Sequence, residues 1–306
     1  VFFWKKTRIY HVGLKKVGLL MLPTVFGAAV YQINILVGTL LASLLPEGSV
    51  SYLYYADRLV QFPLGIFAVA TATAVLPSLS RQAAAEDLAG VRETFVHAMN
   101  LVFFITIPSM VGLIILREPI ISLLFKRGVF DAETTRLTAV ALLYYGMGLW
   151  AFSAVRIVVS TFYALQDTKT PVRMAVVSVI ANIVLAVLLM GPLGHGGLAL
   201  STSLASMLNL VLLIRALRVT LGSLELKNIK ESVCKTLVSS AMMGAVVWAV
   251  SVYMIRSGDE TLSSLLVGLM GSIIIGFLFY GAFSFLIKSP ELKKVWVAVT
   301  KGVRKS

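Results

Sequence analysis

Eight apolar stretches fill this chain, and each reaches or approaches the length needed to cross a bilayer. They are residues 17–45, 60–80, 96–116, 137–163, 174–192, 197–217, 233–255 and 262–287. A spanning helix needs about 20 apolar residues, because hydrocarbon is ~30 Å thick and each residue rises ~1.5 Å. A membrane barrel would instead show alternation in segments of about 10 residues. These runs are too long and too evenly apolar for strands. With a mean hydropathy of +0.91, 58% hydrophobic residues and only 13% charged ones, a soluble domain of this length is excluded. The expected fold is all-α and integral to a membrane, with eight transmembrane helices.

The first stretch lacks the short apolar core and small-residue cleavage site of a signal peptide. The chain opens at Val1 on a basic lead-in, Lys5, Lys6, Arg8, Lys15 and Lys16. It reads as the later part of a longer protein, with a processed boundary as the alternative.

A net charge of +13 would point to nucleic acid in a soluble protein. Here the positive-inside rule explains it, and no nucleic-acid partner is expected. With the N-terminus in the cytoplasm, twenty of the 27 Lys and Arg residues fall inside and six outside, while the 14 acids divide evenly. Arg156 lies within a span. Both termini are therefore expected in the cytoplasm of a bacterial cell, with the basic ends against anionic membrane lipid. The single cysteine, Cys234, forms no disulfide framework, and His11, His97 and His195 make no metal motif.

The connections are short, so neighbouring helices should run antiparallel. Residues 81–95 read as a polar surface helix. Residues 117–136 read as an interfacial half-helix, from Ile120 to Phe125, followed by a turn at Lys126-Arg127-Gly128. Pro23, Pro63 and Pro108 predict kinks in apolar helices. Thr170-Pro171 predicts a helix start, a hydroxyl cap followed by proline. Residues 191–197 predict a tight external turn, with His195 as a turn residue. Ala241, Ala245 and Ala249 in one helix, and Gly268, Ser272 and Gly276 in the next, predict close packing of the last two spans. A groove for an acyl chain between them and the rest is the functional alternative.

The polar residues at membrane depth are few. Asp57 and Arg58 lie where the second span begins. An arginine there either snorkels and pairs with its neighbour, or meets an anionic headgroup in a central cavity through its two-pronged guanidinium. Arg156 lies seven residues from the inner end of its span, roughly 10 Å deep, within reach of water by snorkelling. Gln32 and Asn34 in the first span, and Asn182 in the fifth, either bond neighbouring helices or line a polar cavity. No catalytic set emerges: there is no Gly-x-Ser-x-Gly, Walker loop, His-Glu-x-x-His or Cys–His pair. An enzyme and a cofactor are not expected. With no ATP site, a gradient or the membrane potential must supply any work.

The stretch Ser49-Val50-Ser51-Tyr52-Leu53-Tyr54-Tyr55-Ala56-Asp57-Arg58-Leu59-Val60-Gln61-Phe62-Pro63 resembles the MurJ (MviN) lipid II flippase family. So do Val75-Leu76-Pro77-Ser78-Leu79-Ser80, Phe162 through Pro171, and Gly191 through Leu198. The similarity runs from about residue 13 to 218 and then weakens. It implies the MOP exporter superfamily, with two six-helix lobes around a cationic cavity and, in this family, two further helices. On this resemblance residues 1–16 are a cytoplasmic lead-in and 17–217 a six-helix C-terminal lobe. Residues 218–232 are a linker, 233–287 the extra pair and 288–306 a basic tail. The implied activity is movement of the undecaprenyl-pyrophosphate-linked peptidoglycan precursor to the outer leaflet, in partnership with an N-terminal lobe. The cavity arginine carried over is Arg58, beside Asp57. An acid found in some members is replaced here by Gln61, so its role does not carry over. Some members bind sodium in the second lobe through a carboxylate. The matching spans hold none here, so coupling to a monovalent cation stays open. The competing readings are another MOP exporter (a lipid-linked oligosaccharide flippase or a drug/cation antiporter), a non-transporting scaffold for envelope assembly, and a membrane glycosyltransferase.

Overall fold

Asp87, Asp131 and Asp167 each close a turn by accepting backbone N–H groups at the head of the following helix. The partners are Gly90 at 2.9 Å, Thr134 at 2.8 Å and Thr170 at 3.0 Å. These caps set three helix boundaries in a computed structural model that describes residues 12–224, 226–256 and 262–292. Among the described residues there are eleven α-helices, one π-helical segment and no strand. The order is α1 (Val12–Ser43), α2 (Ser49–Pro63), the π segment (Leu64–Val69), α3 (Ala70–Ala84), α4 (Leu88–Ile115), α5 (Arg117–Phe125) and α6 (Ala132–Gly146). Then come α7 (Leu149–Ala164), α8 (Lys169–Leu193), α9 (His195–Leu221), α10 (Leu226–Arg256) and α11 (Leu262–Leu286). Seven helices are long and apolar enough to cross a membrane, and eight if the bent pair α6–α7 counts as one span.

Several boundaries differ from expectation. The second span begins at Ser49, not near residue 60, because α2, the π segment and α3 run on as a single helix of 36 residues. The Asp57-Arg58 pair therefore sits inside the helix rather than in the loop before it. Pro63 cannot donate to the carbonyl four residues back, and the wider π turns that follow it absorb the mismatch. Residues 88–95 do not form a separate surface helix. They are the first turns of α4, which starts at once after a short turn.

The span read at 137–163 is broken, with α6 and α7 meeting at 42°. Gly148 leaves room there for Ser203 of α9, whose hydroxyl donates to the Tyr144 carbonyl at 2.7 Å. That bond satisfies a carbonyl that the break would otherwise leave bare in hydrocarbon. The half-helix at 117–125 is present as α5. Asp167, not the Thr170 hydroxyl, caps α8. The turn at 191–197 is sharper than expected. Helix α8 continues through Pro192, and Gly194 alone reverses the chain, at φ 56° and ψ −136°, before α9 begins. The backbone between α9 and α10 is correspondingly short, and α10 starts at Leu226 rather than near residue 233.

Helix α4 is the central post. Val91, Phe95, Met99 and Val102 are buried against α3 and α7. Phe104 faces the other way, to the Tyr280 ring of α11, whose hydroxyl donates to the Phe104 carbonyl at 2.7 Å. Helix α10 wedges between α4 and α11. Its contact is not the expected alanine ladder, since Ala241, Ala245 and Ala249 are exposed. Instead Gly244 approaches Val111 and Ile115 of α4, while Met243 and Val247 meet α11. Gly268, Ser272 and Gly276 of α11 are buried, as the small-residue pattern predicts, and Gly276 packs on Val247. Lys5, Lys6, Arg8 and His11, the Pro23 side chain and the tail beyond Leu292 lie outside the described residues.

Candidate functional site

Asp57, Arg58 and Gln61 form one polar step on α2, a turn before Pro63. The Arg58 Nη1 donates to the Gln61 side-chain Oε1 at 3.2 Å, and the Gln61 Nε2 donates to Asp57 Oδ2. Gln61 thus joins the two charges by a bonded relay, rather than a direct ion pair. The Arg58 guanidinium also lies 4.9 Å from the centre of the Tyr54 ring, a cation–π contact. Arg58 and Tyr54 are exposed, while Asp57 and Gln61 are half-buried. The 36-residue helix is roughly 54 Å long, so a ~30 Å hydrocarbon core centred on it would leave Asp57 and Arg58 at one of its boundaries.

Aromatic rings brace the same end of the helix. Tyr55 meets Phe125 at 4.8 Å and Phe130 at 5.4 Å, and Tyr52 meets the His195 ring at 5.3 Å. His195 bonds the Leu137 carbonyl at 2.9 Å, so it tethers the α8–α9 turn to α6.

The other expected residues lie elsewhere. Asn182 donates its side-chain amide to Asn34 Oδ1 at 2.8 Å, joining α8 to α1. Asn182 is buried, and its own Oδ1 has no partner. Gln32, two residues away on α1, is exposed and takes no part in that bond. Arg156 is exposed on α7, near Tyr163. The structure thus joins Asp57 to Arg58 and Asn34 to Asn182, and no contact among the described residues joins those two groups. Sequence reasoning passed over Gln61 and Tyr54 as contributors. The signal was present, because residues three and four apart on a helix face each other, and Tyr54, Asp57, Arg58 and Gln61 follow that spacing.

A cleft of about 1200 Å³ opens at the opposite end of the bundle, between Gln82, Arg92, Asn100, Asn228 and Glu291. It lies 24 residues along the helix from Arg58, roughly 35 Å, and so belongs to a different region.

The model of the lipid II flippase MurJ family matches residues 3–269. The chain belongs to the MurJ lipid II flippase family. A probable MurJ lipid II flippase of Vibrio cholerae is 38% identical over 237 residues, covering 77% of this chain and 45% of that protein. A solved MurJ structure in an inward closed conformation matches with a TM-score of 0.73 and 29% identity, over 87% of this chain and 52% of that one. An outward-facing MATE multidrug transporter of the MOP superfamily matches at 0.61 with 14% identity, which shows a shared fold. The chain spans about half the length of the MurJ relatives it matches. The fold is that of MOP-type transporters, all-helical and built to cross a membrane.

Proposed function

We propose that this chain supplies the second half of a flippase that carries a lipid-linked peptidoglycan precursor from the inner to the outer leaflet of the bacterial cytoplasmic membrane. Membership of the MurJ family supports the substrate class. The exposed Arg58, held by Gln61 and Tyr54 on an otherwise apolar face, is the observation that carries the reading. A pyrophosphate-linked lipid needs positive charge in a wet cavity for its head and apolar surface for its tail. Guanidinium meets phosphate through two parallel bonds, and each charge-assisted bond contributes about 1.5–3 kcal/mol. Asp57 and Gln61 position the arginine in the absence of substrate, and the phosphate displaces Gln61 on binding. The outward apolar faces of α10 and α11 are available to the undecaprenyl tail. Rocking of this lobe against a partner lobe then exposes the head to either side in turn. Both termini face the cytoplasm on this reading, the membrane potential or a monovalent cation gradient drives the cycle, and no cofactor takes part.

The test is a flippase-depleted bacterium supplied with the gene encoding this chain, altered to give Arg58→Ala. Normal expression with lipid II export lost, or slowed at least tenfold, is the expected result. Normal export by a well-expressed variant rules the reading out.

A further inference from the structure

Glu291 is a buried carboxylate whose two oxygens are met by hydroxyls rather than by a bonded cation. It is 4% exposed and follows the last turn of α11. Ser232 of α10 donates to its Oε1 at 2.7 Å, and Ser289 donates to its Oε2 at 2.7 Å. Two hydroxyls satisfy hydrogen bonds, but they leave the formal charge in place. Lys235 of α10 lines the same cavity and feels the Glu291 charge, but its ammonium is bonded to Glu231 at 2.8 Å. Among the described residues no cationic side chain forms an ion pair with Glu291. A buried carboxylate in this position must take up a proton or a cation.

Two further observations favour a cation. A cavity of about 180 Å³ lies directly against Glu291 and is bounded by Asn100, Asn228, Glu231, Ser232 and Lys235. One water occupies ~30 Å³ of liquid, so this space holds a cation with part of its hydration shell. Asn100 faces both this cavity and the larger cleft, and its side-chain oxygen is shut off from solvent with no donor. Carboxylate, amide and hydroxyl oxygens are all hard ligands, suited to alkali and alkaline-earth ions rather than to zinc or copper. Two carboxylates, Glu231 and Glu291, line this cavity against one lysine, Lys235, and the single negative charge left over matches a monovalent ion.

We propose that Glu291, Ser232, Ser289 and Asn100 form a binding site for one monovalent alkali cation, at the junction of α4, α10 and the end of α11. The ion enters from the larger cleft and ties the last two helices to the central post. The site is separate from Asn34 and Asn182, and its test does not depend on lipid transport.

The experiment uses the full-length purified protein in detergent, in choline buffer at pH 7.5. Radioactive sodium binding is measured directly, and thermal unfolding is followed as sodium chloride replaces choline chloride at constant ionic strength. The expected result is saturable binding with a melting temperature that rises with sodium. Glu291→Gln, which keeps shape but removes charge, loses one equivalent of bound sodium or weakens it at least tenfold, and loses the sodium-dependent rise. Ser232→Ala and Asn100→Ala weaken binding less, and keep the test open should Glu291→Gln fail to fold. Glu133→Gln, at an exposed pair elsewhere, leaves binding unchanged. A melting temperature insensitive to sodium overturns the proposal. So does equal sodium binding by wild type and all three site variants, which would leave Glu291 as a protonated carboxyl.

Discussion

Gln61 holds Arg58 at 3.2 Å from its side-chain oxygen while its nitrogen engages Asp57. The neutral amide suits this place because it can release the guanidinium to a stronger acceptor. Gln61→Glu should trap Arg58 in an ion pair and slow lipid II export severalfold, with little change in stability, since exposed pairs contribute about 0.2–1 kcal/mol. Gln61→Ala should slow export less. Equal export by wild type and Gln61→Glu in the depleted strain would remove Gln61 from the positioning role.

Arg58→Lys should retain only part of the export activity, because lysine keeps the charge but loses the planar fork. Asp57→Asn should be milder than Arg58→Ala, since the amide can still bond Gln61. Arg156→Ala should also be milder, as Arg156 stands on α7 without a bonded partner set. Export rates in the same strain, ranked against expression level, check the order.

The Asn34–Asn182 bond should be worth about 0.6 kcal/mol, and no more than ~1.7 kcal/mol, the range of interhelical bonds within membranes. Asn34→Ala and Asn182→Ala should each lower thermal stability in detergent. The double variant should lose less than the sum of the two. Strict additivity would show that the two amides do not interact.

Gly244 leaves no room for a side chain, because a Cβ there would stand 2.7 Å from Val111 Cγ1 on α4. Gly244→Val should therefore destabilise by about 1–3 kcal/mol through overpacking. Ala245→Val, on the exposed side of the same helix, should be nearly neutral. Thermal unfolding of the two variants side by side decides whether α10 packs on α4 through this face.

Topology provides a separate check. Single cysteines at Gly194 and Lys288, in a Cys234→Ser background, should react with a membrane-impermeant thiol reagent from opposite faces. Labelling from the same face would contradict the three spans, α9, α10 and α11, that separate the two positions in an eight-span arrangement with the N-terminus inside.

The number of spans was legible in sequence because hydrocarbon demands about 20 apolar residues wherever a helix crosses it. The buried Gly268-Ser272-Gly276 stripe and the α5 half-helix were legible for a similar reason, as each is a local pattern that one element satisfies alone. The family, too, was readable in contiguous motifs around Asp57-Arg58. Other features depend on neighbours. Polar residues in lipid are too sparse for periodicity to say which partner they meet. Only the packed helices could decide that Asn182 bonds Asn34, while Gln32 stays outside. Apolarity is equally blind to a bend, so the break at Gly148, stabilised by Ser203 from α9, was hidden within one smooth run. The alanine ladder misled because every face of a membrane helix is apolar. Which face is inward follows from shape, here Gly244 against Val111 and Gly276 against Val247. Glu291 is the plainest case. In sequence it is one acid in a basic tail, and only the arrival of Ser232 from α10 turns it into a buried carboxylate facing a cavity.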